Sequence, residues 1–148
     1  MPYPEWRRDD GLVSTDPERV DLDVVHGFLT RSYWCEGIPR ETVRRSIEHS
    51  IPFSAFVADR PAGFARVITD RATFAYVGDV FVLPEYRRRK LSVWIMQCVV
   101  AHPELQGLRR SLLATRDAHG LYAKFGFTSL AAPERWMERR DREAYARG

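Results

Sequence analysis

The 148-residue sequence has few cysteines and no long apolar segment, and both absences narrow the class of protein. Two cysteines, Cys35 and Cys98, are too few for a disulfide framework or a four-ligand zinc site. The four histidines lack metal-ligand spacing, so we expect no metal. No uninterrupted apolar stretch approaches the length of a membrane span, and the first ten residues lack the apolar core of a signal peptide. We therefore expect a cytoplasmic protein that does not bind membranes.

The sequence also lacks a large excess of charge of one sign. Lysine and arginine number 23 against 20 aspartate and glutamate residues, which leaves a formal net charge of +3. This balance is far from that of a dedicated nucleic-acid binder, and one basic loop alone is a weak indication of such binding. Hydrophobic residues make up 45% of the chain and aromatic residues 12%, enough for a core. The length predicts one domain over residues 1–148.

Apolar spacing changes from helical to alternating and back along the chain. The first fifteen residues predict a strand, followed by a helix from Pro17 to Tyr33 or Trp34 and a short helix over 42–47. The other predicted elements are strands at 53–58, 64–69 and 73–83, a helix at 91–102, a strand at 109–115, a helix at 118–125, and closing strands at 127–130 and 135–140. Short turns between the three central strands favour an antiparallel meander, and a helical crossover favours one parallel pair. The fold class predicted is α/β (α+β), a mixed sheet covered by helices.

The strongest local feature is a basic loop between a strand and a helix. Pro84 ends the strand, four consecutive cations occupy 87–90, and an amphipathic helix follows from Leu91. Unpaired N–H groups and the positive end of the dipole at a helix start suit a phosphate, and the cations favour a polyanion. On these residues alone, a solvated basic turn remains the alternative.

Two segments, DVFVLPEYRRRKLSVWIMQCVV and LLATRDAHGLYAKFGF, resemble the GNAT superfamily of acetyl-CoA-dependent N-acetyltransferases. The resemblance covers about residues 62–130. It implies a mostly antiparallel sheet of six to seven strands, flanked by helices, with a splayed parallel pair in the middle. It also implies that acetyl-CoA is the cosubstrate, with its pantetheine arm held by the backbone of Phe81 and Val82 and its thioester end by Val80. The pyrophosphate would then lie on Arg87, Arg88, Arg89, Lys90, Leu91 and Ser92.

The same resemblance indicates two catalytic side chains. Tyr122 falls where family members place a tyrosine that protonates the departing thiolate, and a phenol stays protonated at neutral pH. Asp79 falls where the family often has an acid that acts as base toward the amine. The alternatives are a core tyrosine at Tyr122 and an ion pair between Asp79 and a neighbouring strand residue such as Arg66.

The loop between the first two helices would form one wall of the acceptor cleft in this fold. Its aromatic and acidic residues, Tyr33, Trp34 and Glu36, are candidate contacts for an amine, by cation–π and charge attraction. They could equally pack the loop against the rest of the protein. The expected partner is a small-molecule or peptide amine, and a homodimer remains open.

One position departs from the family pattern, because Lys90 stands where the phosphate loop has its central glycine. The lysine stem would obstruct the close approach of a phosphate to the backbone, although its ammonium could bind a phosphate oxygen. The sequence therefore predicts an N-acetyltransferase that moves an acetyl group to a primary amine by direct attack in a ternary complex. The alternative is a catalytically weak or inactive GNAT-fold module that binds a ligand or a protein through an altered phosphate loop.

Overall fold

The computed structural model describes residues 2–146, in which six strands form one sheet flanked by helices. The strands are β1 (Glu5–Arg8), β2 (Gly11–Ser14), β3 (Ile51–Val57), β4 (Arg60–Thr69), β5 (Phe74–Val82) and β6 (Arg110–Leu112). The helices are α1 (Leu22–Leu29), α2 (Arg40–Glu48), α3 (Leu91–Ala101) and α4 (His119–Ala123). Spatial order follows chain order, and every neighbouring pair is antiparallel except β5 and β6. The predicted mixed, mostly antiparallel sheet is confirmed. Within the described range, no helix is long and apolar enough to cross a membrane.

The N-terminal strand of the prediction is a hairpin of two strands. Asp9 and Asp10 separate β1 from β2, and Asp9 has a φ of 53°. Aspartate tolerates this left-handed conformation better than most residues, which lets the chain reverse within two positions. β2 is then buried along its whole length, because it lies between β1 and β3.

The first predicted helix is shorter in the structure. Pro17–Arg19 forms a separate 3₁₀ turn, and α1 begins at Leu22 because the Asp21 carboxylate accepts a hydrogen bond from the Val24 N–H. After α1, the Ser32 hydroxyl donates to the Leu29 carbonyl and accepts from the Cys35 N–H. These two bonds end the helix and fix the start of the connection to α2, residues 30–39, called here loop 30–39.

Two apolar clusters lie on opposite faces of the sheet. On one face α3 packs through Trp94, Ile95 and Met96 against β3, β4 and the first half of β5. On the other face α1 and α2 pack against the rings of Phe64 and Phe81. The sheet is therefore the middle of three layers, and the residues that lie between α1, α2 and β5 belong to a second, smaller core.

The two predicted closing strands, at 127–130 and 135–140, are wrong. Residues 128–130 and 137–146 are exposed, and the charges of Glu138, Arg139 and Arg140 leave no apolar face that a strand could bury. Trp136 packs differently, with its ring centroid 4.9 Å from the guanidinium of Arg110 on β6. Side-chain stacking there replaces the backbone pairing that the sequence suggested.

Gly126 ends the turn that follows α4 and has a φ of 89°. Its N–H donates to the Ala123 carbonyl at 3.2 Å, and the next N–H, of Phe127, donates to the Tyr122 carbonyl at 3.3 Å. We expect Gly126→Ala to lower the free energy of unfolding by about 1 kcal/mol, since alanine is strained at this φ. A β-carbon would meet nothing within 4 Å, so the loss comes from the backbone alone.

Urea denaturation measures this loss, and Gly120→Ala is the matched control. Gly120 lies inside α4, also has open space around it, and does not have a positive φ. Alanine there should be neutral or stabilising because it favours the helix. Equal urea midpoints for Gly126→Ala and the unmodified protein would contradict the argument.

Candidate functional site

β5 and β6 separate after a short parallel contact. Phe74, Ala75 and Tyr76 pair with Arg110, Ser111 and Leu112, and β6 ends there. The strand predicted over 109–115 is therefore shorter, and 113–115 run on without pairing to β5 within the described residues. The second half of β5 has β4 on one side and an open edge on the other. The splayed parallel pair that the family resemblance implies is present, but it lies at one end of the sheet and not in its middle, because no further strand pairs with β6 within the described residues.

A β-bulge at Asp79 marks the point where β5 changes. Arg66 of β4 pairs with Gly78 and Phe64 pairs with Phe81, so two residues of β5 lie opposite one of β4. Asp79 has a φ of 54°, which takes it out of the regular ladder. Such a backbone conformation costs a non-glycine residue about 1–3 kcal/mol, and aspartate is among the side chains that adopt it most readily.

The backbone of Val82 faces the open edge. The Leu83 N–H donates to the Ala62 carbonyl of β4 at 2.8 Å, and successive residues of a strand direct their backbone groups to opposite sides. Phe81 therefore directs its N–H and C=O to β4, which makes its backbone unavailable to a ligand at the open edge, against the prediction. Its ring instead stacks on Phe28 of α1 at 4.1 Å. Val80, beside the bulge, is half-buried against the α3 cluster.

Asp79 is the centre of a buried polar network. Its Oδ2 accepts from Nε of Arg66 at 2.8 Å, and both side chains are largely buried. Its Oδ1 accepts from Nε1 of Trp34 at 3.1 Å and from the Cys35 thiol at 3.7 Å. The ion pair with Arg66 is thus present, and the same carboxylate also holds loop 30–39 against the bulge.

Burial and the Asp79 charge shift the titration of the groups around this carboxylate. Burial first, and Asp79 second, raise the pKa of the Cys35 thiol to about 12. Burial and Asp79 also raise the pKa of Tyr76, whose side chain is half-buried on β5. At neutral pH both groups are therefore protonated, and Cys35 is not a thiolate nucleophile.

Tyr33 connects loop 30–39 to the far side of the opening between β5 and β6. Its hydroxyl accepts a hydrogen bond from the Arg116 N–H at 3.2 Å, and the Arg116 guanidinium lies 3.9 Å from its ring centroid. Arg116 belongs to the segment between β6 and α4, so Tyr33 spans the opening between the two separated strands. Trp34, the next residue, contacts the ring of Tyr33 edge-on at 5.0 Å.

Tyr122 lies on α4 with 8% of its surface exposed. Burial raises the pKa of its phenol, and the nearby phenol of Tyr33 and carboxylate of Asp117 raise it further. Its ring meets Phe127 edge-on at 6.2 Å. Loop 30–39 therefore contacts Asp79 through Trp34, and its Tyr33 phenol lies near enough to Tyr122 to affect the pKa of that residue.

The basic loop enters α3 through left-handed backbone. Arg88 has a φ of 71°, and Lys90, the residue that caps α3, has a φ of 56°. Glycine is favoured in this conformation, so a lysine at position 90 adds backbone strain as well as reducing the space for a phosphate. Arg87 donates from Nε to the Val82 carbonyl at 3.1 Å, and Arg89 lies over the ring of Tyr86 at 5.8 Å. All four cations are exposed, while Leu91 is buried and Ser92 is half-buried.

The structure adds three residues to those predicted. Arg116 and Cys35 contact Tyr33 and Asp79, and Tyr76 lies near enough to Asp79 for the carboxylate to raise the pKa of its phenol. Tyr76 could have been found from its place on the splayed strand, three residues before Asp79. No sequence signal indicates that Cys35 contacts Asp79. Glu36, a predicted substrate contact, is exposed in loop 30–39. Among the residues the structure describes, no cluster of three or more His, Cys, Asp or Glu side chains could hold a metal ion.

Comparisons with known proteins agree with this geometry. The model of the acetyltransferase (GNAT) family matches residues 22–127. A curated relative from Gibberella zeae, named a "putative acetyltransferase", is 30% identical and covers 80% of this chain and 79% of its own. A crystal structure from Xanthomonas campestris pv. campestris, of a "putative acetyltransferase belonging to the gnat family", is 50% identical. It covers 95% of this chain and 99% of its own with a TM-score of 0.90.

A third structure shares the fold at low identity. It is the crystal structure of a "predicted acetyltransferase with acetyl-CoA" from Clostridium acetobutylicum, which covers 84% of this chain and 92% of its own at 15% identity and a TM-score of 0.61. The family match extends over most of the chain, from α1 through the opening between β5 and β6 to the turn after α4. This chain belongs to the GNAT family of acetyltransferases.

Proposed function

We propose that this chain is an acetyl-CoA-dependent N-acetyltransferase that transfers an acetyl group to a primary amine by direct attack in a ternary complex. The observation that carries the proposal is the open edge of β5, which ends at the basic start of α3. A strand edge can pair with the amide groups of an extended ligand, and a helix start suits a phosphate. Together they fit the pantetheine arm and pyrophosphate of one molecule.

The residues present fit acetyl-CoA in two places. Along the strand, the Val82 backbone is on the open side, with Val80 next to it toward the bulge. At the helix start, the first N–H groups of α3, including Leu91 and Ser92, have no carbonyl partner within the helix. The exposed side chains of the basic loop, Arg87, Arg88, Arg89 and Lys90, add positive charge beside those N–H groups. When bound, acetyl-CoA supplies an activated thioester, so no covalent enzyme intermediate is required.

Tyr122 is the proposed general acid. Its buried phenol has a raised pKa, which keeps its proton available through neutral and mildly alkaline pH. The α4 helix holds it in the apolar cluster that includes α3, within electrostatic range of the Tyr33 phenol. There it can protonate a thiolate that leaves as the amine attacks.

Asp79 is the proposed acidic residue beside the acceptor amine. Its carboxylate serves as a base toward the amine or as an anchor for it. The Oδ2 atom accepts one hydrogen bond, from Arg66, and has a further lone pair, whereas Oδ1 already accepts from both Trp34 and Cys35. An amine or a water molecule can therefore approach without breaking the ion pair. Loop 30–39 supplies the adjacent aromatic surface through Tyr33 and Trp34, beside the exposed Glu36.

A second candidate function has one observation in its favour, the state of the phosphate loop. Arg87 occupies the Val82 carbonyl, and Lys90 replaces glycine in left-handed backbone. Both features would weaken acetyl-CoA binding, as expected of a protein that has the GNAT fold without the transferase activity. Calorimetric titration with acetyl-CoA, followed by an amine panel with detection of free thiol, separates the two functions. Absence of acetyl-CoA binding would favour a non-catalytic module.

We expect Tyr122→Phe to lower kcat by about 10²–10⁴-fold and to leave the Kd of acetyl-CoA unchanged, because only the acidic proton is lost. Since burial raises the pKa of Tyr122, its loss of a proton should not limit the unmodified enzyme at neutral or mildly alkaline pH. Stopped assays between pH 6 and 10 measure kcat, which should show no alkaline loss in the unmodified enzyme, and calorimetry measures the Kd of acetyl-CoA. Tyr3→Phe, at an exposed N-terminal tyrosine, is the control. An unchanged kcat in Tyr122→Phe would remove Tyr122 as the acid.

Asp79→Asn tests the acceptor-side acid with little change of backbone, since asparagine also tolerates a positive φ. We expect the free energy of unfolding to fall by about 2–3 kcal/mol, because Arg66 loses its buried partner. We also expect kcat to fall, most strongly between mildly acidic and neutral pH, where amine deprotonation most needs a base.

Arg66→Met is the matched control for that experiment. It breaks the same ion pair but keeps the carboxylate, so it should lose stability and retain more activity than Asp79→Asn. If the two variants lose stability and activity in equal measure, Asp79 acts only through the ion pair.

Lys90→Gly should tighten acetyl-CoA binding about tenfold and thereby reveal weak binding by the unmodified protein. Glycine relieves the left-handed strain and lets a phosphate approach the N–H groups of α3, where bonds to a charged group contribute about 1.5–3 kcal/mol each. The lost ammonium opposes this gain by roughly 1 kcal/mol, since an exposed ion pair is screened.

Lys90→Ala separates the two effects, because it removes the charge and keeps the β-carbon. Calorimetry at two salt concentrations should rank glycine tightest and alanine weakest. If the unmodified protein binds tightly and Lys90→Gly binds more weakly with a smaller salt dependence, then the lysine is a phosphate ligand and the steric argument is wrong.

A further inference from the structure

Arg116 lies beside loop 30–39, where two contacts with Tyr33 fix its position. Its backbone N–H donates to the Tyr33 hydroxyl at 3.2 Å, and its guanidinium lies 3.9 Å from the centroid of the Tyr33 ring. The ring of Tyr33 meets that of Trp34 edge-on at 5.0 Å, and Trp34 donates from Nε1 to the Asp79 carboxylate at 3.1 Å. Adjacent residues of one loop therefore contact a guanidinium and a carboxylate.

The guanidinium of Arg116 is open to a ligand. It carries five N–H donors, and stacking on an aromatic face leaves the donors in its plane directed outward. No described residue accepts a hydrogen bond from them, and the carboxylate that pairs with them, of Asp117, is 3.7 Å from Nη2. The side chain of Arg116 is 64% exposed and that of Asp117 is 71% exposed. An anion from solution can therefore reach this cation.

Arg66, the other arginine of the site, is in a different situation. Its guanidinium is largely buried, and its Nε donates to Asp79 Oδ2 at 2.8 Å. The charge of Asp79 is thus compensated without Arg116, whose guanidinium is not needed for the buried network.

The site therefore presents two charged groups of opposite sign, joined by aromatic surface. The partly exposed rings of Tyr33 and Trp34 connect the Arg116 guanidinium to the Asp79 carboxylate. An acceptor with an amine at one end and an anionic group at the other would match this order of charges.

We infer that the acceptor is an aminocarboxylate, whose carboxylate binds to Arg116 while its amine lies beside Asp79. The inference rests on the proposed function, since it assigns the acceptor class of that site. Two N–H groups of a guanidinium match the two oxygens of a carboxylate, so Arg116 distinguishes such an acceptor from an uncharged amine of the same shape. The proton transfers remain with Asp79 and Tyr122.

Steady-state kinetics with matched acids and amides test the acceptor class. The probes are 4-aminobutanoate and 6-aminohexanoate, each compared with its amide, which keeps the shape and removes the negative charge. At least one acid should have a KM about fivefold or more below that of its amide. High salt should reduce this ratio, because the guanidinium is exposed. If neither acid is preferred over its amide, the assignment is wrong.

Arg116→Gln tests the residue itself. The variant should raise the KM of the preferred acid to that of its amide and leave the KM of the amide unchanged. Arg7→Gln is the matched control, because Arg7 is exposed on β1, at the opposite edge of the sheet from β6, and should change neither KM.

Two other outcomes for Arg116→Gln would overturn the inference. An equal rise in the KM of acid and amide would mean that Arg116 acts only by holding Tyr33. A weaker affinity for acetyl-CoA, measured by calorimetry, with an unchanged ratio of the two KM values would assign the guanidinium to a phosphate of the cosubstrate.

Saturation-transfer NMR with the same four probes measures binding without turnover, and so distinguishes failure of this inference from failure of the proposed function. If acetyl-CoA does not bind, the transferase proposal fails. Tighter binding of an acid than of its amide, lost in Arg116→Gln, would then still establish the carboxylate site. If acetyl-CoA binds and other amines are acetylated, but neither acid binds more tightly than its amide, then only the role of Arg116 is lost.

Discussion

The β-bulge at Asp79 is the constraint on which the rest of the site depends. It places one residue of β5 outside the ladder, and the buried Arg66 guanidinium compensates the charge of that residue. The remaining donors to the carboxylate come from loop 30–39, so the position of the loop follows from the position of the bulge. Without the ion pair, a carboxylate with 9% exposure would be costly to bury. The left-handed backbone, the ion pair and the loop therefore form one unit.

The opening between β5 and β6 has a different origin, in the shortness of β6. Only three residue pairs join the two strands, and the chain then turns away through Arg116 toward α4. A bulged strand bends and twists more than a regular one, which favours this separation. Tyr33 and Trp34, neighbours in sequence, contact Arg116 after β6 and Asp79 on β5, and so connect the two sides of the opening. Loop 30–39 can therefore transmit a change on one side to the other.

Most of the fold could be predicted from the sequence because it depends on periodicity. The meander of β3, β4 and β5, the amphipathic α3 and the parallel return to β6 follow from apolar spacing and turn residues. The predictions from the sequence were wrong where helix capping or charge determines the secondary structure. Asp21 restarts a helix that looked continuous, and the charged C-terminal segment cannot bury a strand face. The site divides in the same way. Tyr122 and Asp79 lie in recognisable motifs, whereas Cys35 contacts Asp79 only because loop 30–39 folds against the bulge, which no apolar pattern indicates.

Because of the bulge, the packing of the two cores does not depend on Asp79, the residue that organises the site. Before it, Ala75 and Val77 face α3, and after it Val80 and Val82 do, while Phe81 faces α1 and α2. A strand without Asp79 would alternate regularly from Phe74 to Val82 and bury the same side chains on the same faces. The aspartate is therefore an addition of one residue to a strand that could pair with β4 unaided. Packing of the two cores places no demand on its identity, and the demand comes instead from the buried Arg66 guanidinium, which needs a carboxylate partner, and from the left-handed backbone. A substitution at this position would therefore have to be matched at Arg66, while the packing of the sheet stays the same.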